Sequence, residues 1–124
     1  MSIQEVIAKI NKLKPNTIDD EHKVEWLSKL DGLIYVEMIK NHRASALTSI
    51  LPNVKEEFTP YDENNTNDEL LVPYAFNDLY LFWLEAQMNY WLDDIVNYNK
   101  AMTRFGELYA SFGNWFNRNV TRDK

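Results

Sequence analysis

The 124-residue chain has no cysteine, so disulfides and thiolate metal sites are excluded. It has only three glycines and four prolines. Long 3.6-residue periods fill the space between these breakers, and the expected fold is all-α. Its two histidines, His22 and His42, fall at opposite ends of one predicted helix. They stand about 30 Å apart, too far to share a metal within one chain, and both read as exposed helix-end residues. Nothing resembles a Gly-rich phosphate loop, and a hydrolytic triad has no support. Cations are outnumbered 13 to 19, for a net charge of −6, which argues against gripping nucleic-acid phosphates. The most apolar run, Leu79–Trp91, is interrupted by Glu85, Gln87 and Asn89 and is too short and polar to span a bilayer. The opening MSIQEVIAKI is amphipathic and does not read as a signal peptide.

Aromatic residues are plentiful, and they concentrate. Tyr74, Phe76, Tyr80, Phe82, Trp83, Tyr90, Trp91 and Tyr98 all lie between Val72 and Tyr98. Only Asp78, Glu85, Asn89 and Asp93 form a polar strip there, within about 60° on a helix. A helix apolar on most of its circumference is a buried one. In so small a chain a single bundle covers only part of it, which leaves the rest to another subunit.

The remaining segments complete a four-helix bundle-like domain over residues 1–124. A first helix spans about 2–13, opened by a Ser2/Glu5 capping box and carrying the stripe Ile3, Val6, Ile7, Ile10, Leu13. A second spans about 20–41, capped by Asp19 or Asp20, with a broad apolar face that includes Trp26, Leu27, Leu30, Leu33, Ile34, Met38 and Ile39. Asp31-Gly32 is its weak point and a candidate kink, since Gly costs about 1 kcal/mol relative to Ala. The third spans about 75–97 and the fourth about 100–119, separated by a break at Asn97-Tyr98-Asn99. Gly106 and Gly113 share a face of the fourth helix and leave room for a close helix approach. The tail VTRDK is expected to fray.

Between helices two and three lies a long irregular loop, about 43–72. Residues 41–72 hold −4 of the net charge, and six acids but no base fall between Glu56 and Glu69. Ala44–Leu51 has the composition of a short helix stopped by Pro52. Loops of this length in small domains are usually functional or disordered. Asp62–Asp68 resembles a calcium loop, but Asn67 stands where Gly is needed and Pro73 where the bidentate Glu is needed. The strip Glu85, Asn89, Asp93 lacks the Glu-x-x-His of a di-metal bundle, since residue 88 is Met. It reads instead as a solvated seam paired with Arg104 or Arg118. No catalytic, cofactor or metal residue is assigned, and no enzyme activity is expected.

The segments IQEVIAKINKLKPN, EWLSKLDGLIYVEMI, FTPYDENNTNDELLVP, DLYLFWLEAQMNYW and YNKAMTRFGELYASFGNWFNR, in this order and spacing, resemble the head–tail connector (adaptor, head-completion) proteins of tailed phages and prophages of Gram-positive bacteria. Tyr74–Asn77 and Arg43–Asn53 depart from that pattern. The resemblance implies a structural virion protein. It would be assembled in the host cytoplasm into a ring of twelve copies below the portal, extending the DNA channel and docking the next connector or tail component. DNA would pass without specific binding, past acids of 56–69 or of the Asp78–Asp93 strip, and no membrane would be involved. The expected partner contacts are Phe58, Tyr61, Asp62, Glu63, Asp68 and Glu69. Core or subunit packing is expected from Phe76, Tyr80, Trp83, Tyr90, Trp91, Phe105, Phe112 and Trp115. The competing reading is a small acidic helical regulator, a DNA-mimic type of inhibitor.

Overall fold

A computed structural model describes residues 1–40, 42, 47, 50–55 and 57–120. Among these residues the chain is all-α, with four α-helices and no strand. Helix α1 spans Ile3–Leu13. Its capping box is formed: Glu5 N–H donates to Ser2 Oγ at 3.2 Å and Ser2 N–H to Glu5 Oε1 at 3.2 Å. The two N–H groups just inside the cap find acceptors elsewhere in the chain. Ile3 N–H donates to the Asp68 carbonyl at 3.0 Å and Gln4 N–H to that of Thr66 at 2.9 Å. The far end of the acidic loop is thereby docked onto the start of α1, where orphan donors need partners. Ile3, Val6, Ile7 and Ile10 are buried as the stripe requires, but Leu13 is exposed. It is the last residue of the helix.

Helix α2 spans Asp20–Ile34 and continues as a widened π-type turn over Tyr35–Ile39, closed by Lys40 N–H onto the Tyr35 carbonyl at 2.8 Å. The α-helix runs unbroken through Gly32, and the irregular hydrogen bonding begins one turn later, at Tyr35. Gly32 serves another purpose. A Cβ there would stand 3.2 Å from Phe58 Cε1, so its bare backbone admits an aromatic ring from the loop. The expected short helix over Ala44–Leu51 and the fraying tail fall largely or wholly outside the described residues. So does Asn41, the expected end of the second helix. The loop is pinned by buried Leu47, Leu51, Val54, Leu70, Leu71 and Val72.

A single 3-10 turn, Tyr74–Phe76, leads into α3, Asp78–Trp91, and a tight turn delivers α4, Ile95–Val120. The break therefore lies at Leu92–Asp94 rather than Asn97–Asn99, and the third helix is shorter and the fourth longer than expected. The cause is a Schellman-type end. Asp94 N–H donates to the Asn89 carbonyl at 2.8 Å and Asp93 N–H to that of Tyr90 at 3.1 Å, with Asp93 at φ 61°. Asp94 then caps α4, accepting from Asn97 N–H at 3.3 Å and Asn97 Nδ2 at 2.7 Å.

Helices α3 and α4 pair along their length, with α1 and α2 against α3. One apolar cluster joins all four helices with the anchored parts of the loop. Of the two glycines of α4, a Cβ added at Gly113 would meet only the Met38 methyl, at 3.5 Å, and one at Gly106 would meet nothing within 4 Å. Neither mediates a close backbone approach.

Candidate functional site

The polar centre of the molecule is Asp31, on the buried face of α2 and fully sealed from solvent. Its carboxylate accepts from the Tyr61 hydroxyl, from Leu71 N–H at 3.1 Å and from the Tyr80 hydroxyl at 2.6 Å. The Tyr80 oxygen in turn accepts from Val72 N–H at 2.9 Å. One side chain thus joins α2, both halves of the loop's C-terminal part and α3. Burial pushes the Asp31 carboxyl up to about 6, against the lowering effect of its three donors. Burial and the adjacent carboxylate hold both tyrosine hydroxyls above their usual range. With three donors on its carboxylate and no exposure to solvent, the group fastens the loop.

A second buried charge closes the α1–α2 turn. Lys23 Nζ donates to Asn11 Oδ1 at 2.7 Å, Asn16 Oδ1 at 2.9 Å, the Ile18 carbonyl at 2.8 Å and Asp20 Oδ1 at 3.1 Å. A third polar contact involves the strip on α3. Asn89 is buried, and its Oδ1 accepts from Lys14 Nζ at 2.8 Å, with Glu85 3.8 Å from the same ammonium. The Asn89 side-chain NH2 has no hydrogen-bond partner. The strip is therefore not one solvated seam. Asp78 is exposed, Asn89 lies under Lys14, and Asp93 has left the helix. The cation that meets it comes from the end of α1, not from Arg104 or Arg118.

The loop residues expected at partner contacts take three positions. Phe58 lies half-buried over Gly32, with its ring 5.4 Å from Tyr61 and 6.1 Å from Tyr35. Tyr61 is fixed at both ends, its N–H donating to Ser28 Oγ at 3.0 Å and its hydroxyl to Asp31. Asp62 and Glu63 are exposed at the tip, where Asp62 Oδ1 accepts from Asn64 N–H at 2.9 Å. Asp68 and Glu69 lie at the α1 docking point, and Glu69 pairs with the terminal amine at 2.8 Å. Phe58 and Tyr61 form a ridge between two clefts. One, of ≈ 580 Å³, opens toward α2 between Val24, Phe58, Pro60, Tyr61 and the carboxylates of Glu21, Glu25, Asp62 and Glu63. The other, of ≈ 310 Å³, opens toward Asn53, Lys55, Asp68 and Glu69.

The aromatic set divides cleanly. Phe76 packs on Phe112 and Trp115 at 5.8 and 5.5 Å. Trp83 packs on Phe105 at 5.1 Å and donates its indole N–H to the Trp26 carbonyl at 2.9 Å. Tyr80 is buried. Tyr90 and Trp91 are exposed instead, together with Leu92, Ile95 and Val96, across the α3–α4 turn. Trp91 carries His22 on its ring at 4.6 Å. His22 is thus half-buried in an aromatic stack, not the free helix-end residue expected. His42 meets the edge of Phe116 at 6.0 Å.

Among the described residues no group of three or more His, Asp or Glu is placed to hold a metal ion, and no helix is long and apolar enough to cross a membrane. No protein-family model, curated protein or solved structure matches the chain.

Asp31 and Lys23 were legible as anomalies. Both fall on the apolar face of α2, four residues to either side of Leu27. A charge at such a position marks a buried polar contact, though its partner is not visible locally.

Proposed function

We propose that this chain is a non-enzymatic assembly adaptor of the head–tail connector kind. It would work as a ring below a portal and dock the next connector or tail component of a virion. The observation that carries the assembly reading is the apolar tip. Tyr90, Trp91, Leu92, Ile95 and Val96 are exposed side by side at one end of the α3–α4 hairpin of an acidic protein. Contiguous apolar surface of this kind marks association sites, and Tyr and Trp are the residues that dominate interface energetics. The sealed Asp31 contact adds support from the other direction, because its carboxylate is committed to holding structure. The virion location rests on the sequence resemblance.

The test is positional. Tailed particles made by a strain carrying the gene are labelled with gold-conjugated antibody to this chain. Label at the head–tail junction is the expected result. Fully tailed, infectious particles produced without the chain would sink the reading.

A further inference from the structure

We propose that the cleft between α2 and the Phe58–Glu63 segment is a docking groove for a cationic segment of a partner protein that carries an apolar anchor. This rests on reading the chain as an assembly protein, and it names the chemistry of what that protein receives. The floor of the groove is apolar, built from Val24 on α2 and Phe58, Pro60 and Tyr61 on the loop. Among the described residues its rim carries Glu21, Glu25, Asp62 and Glu63 against a single cation, Lys29, already 3.4 Å from Glu25. An anionic occupant such as phosphate, nucleic acid or an acidic lipid headgroup would meet uncompensated like charge. A neutral apolar one would leave the rim unused. A Lys or Arg on either side of a Leu, Met or aromatic residue satisfies both rim and floor.

Three features make the groove a built surface. Tyr61 is fixed at its amide by Ser28 and at its hydroxyl by Asp31. Phe58 is seated on the bare backbone of Gly32. The outgoing end of the loop is clamped to α1 through Asp68 and Thr66. A partner segment would therefore enter without ordering the loop first, which removes one of the main costs of association. The ≈ 580 Å³ volume lies within the range of formed ligand pockets, roughly 300–1,000 Å³, and suits a few side chains of an extended or helical segment.

The experiment uses the full chain, ¹⁵N-labelled, and a ten-residue peptide alternating Arg and Leu. A peptide with Glu in place of Arg and one with Ser in place of Leu serve as controls. The expected result is saturable binding of the Arg-Leu peptide, with amide shifts centred on Val24, Glu25, Ser28 and Tyr61. Both controls should bind at least about tenfold more weakly. The double variant Glu25→Lys/Glu63→Lys, both at exposed positions and checked for unchanged helicity, should lose the binding. Equal affinity for the Glu peptide would overturn the proposal. So would shifts centred on the α3–α4 tip, full binding by the charge-reversed variant, or groove signals that move with protein concentration alone, as they would if a second copy filled it. Peptide binding is read on the isolated chain. Its failure removes the groove assignment without touching the adaptor reading, which is decided on labelled particles.

Discussion

The Tyr80 hydroxyl stands 2.6 Å from Asp31 Oδ1, and both residues are completely excluded from solvent. The contact joins the last turn of α2 to the first turn of α3. Tyr80 also accepts from Val72 N–H at 2.9 Å, so a single hydroxyl fixes both a helix and the chain entering it. Tyr80→Phe removes this oxygen and leaves a buried amide without an acceptor. The expected loss is about 1–3 kcal/mol, read from urea denaturation midpoints. Tyr61→Phe should cost less, because Tyr61 is only half-buried and its loss, unlike that of the Tyr80 oxygen, strands no backbone amide. Equal losses would show that the two contacts are not ranked by burial.

Asp31 also sets a pH dependence. Its folded-state value is raised from 3.8 to about 6, so the folded chain holds this proton more tightly than the unfolded chain. Its contribution to stability is fully present below about 3.8 and is lost as pH rises through about 6, a change of about 3 kcal/mol across that window. The stability difference between wild type and Asp31→Asn should change by this order between those pH values. The carboxyl ¹³C resonance of Asp31 should titrate near 6; a midpoint near 4 would contradict the prediction.

Lys23→Met keeps most of the stem volume but strands the acceptors gathered around the ammonium. The acceptors left behind are neutral apart from the exposed Asp20 carboxylate, and leaving such buried groups without a donor costs about 1–3 kcal/mol. A loss of this order in chemical denaturation is expected, with α1 and the Lys14–Asp19 turn losing hydrogen-exchange protection first. A loss below about 1 kcal/mol, the scale of an exposed pair, would mean that Lys23 is not sealed in solution.

Asp93 occupies the left-handed position that ends α3. A side chain there costs about 1–2 kcal/mol, less for Asp than for most residues, and part of any gain from glycine is offset by its entropy in the unfolded chain. Asp93→Gly should therefore stabilise modestly, by about 0.5 kcal/mol, and Asp93→Val should destabilise. The opposite order in thermal melts would place the helix break elsewhere.

Leu92→Lys combined with Val96→Lys charges the apolar tip at two exposed positions. Surface changes of this kind move stability by no more than about 0.5 kcal/mol. The expected outcome is an unchanged melting temperature with loss of assembly on capsids, scored by electron microscopy of particles. Normal assembly by the double variant would remove the tip from the interface.

Much of the architecture was legible in near-neighbour terms. Ser2 and Glu5 announce a helix start because the capping box is complete within four residues. Ile3, Val6, Ile7 and Ile10 announce a buried face because the helical period repeats inside one segment. The surplus of aromatic residues between Val72 and Tyr98 announced that a small bundle would leave some uncovered, though not that the uncovered ones would gather at Tyr90 and Trp91. The turn at Leu92–Asp94 was missed because its left-handed position holds Asp rather than Gly, and Asn97-Tyr98-Asn99 offered stronger local break signals.

What the sequence alone determined is therefore the set of helices and the faces they bury, since both follow from contacts within a few residues. Only the tertiary structure decided what the polar residues on those faces do. Asp31 finds Tyr80 across 49 positions of sequence, and Lys14 finds Asn89 across 75. Gly32 looked like a flaw in a helix until Phe58 was seen resting on it. A buried polar group or a missing side chain states a requirement locally, but the residue that meets it is brought there by the packing of the whole chain.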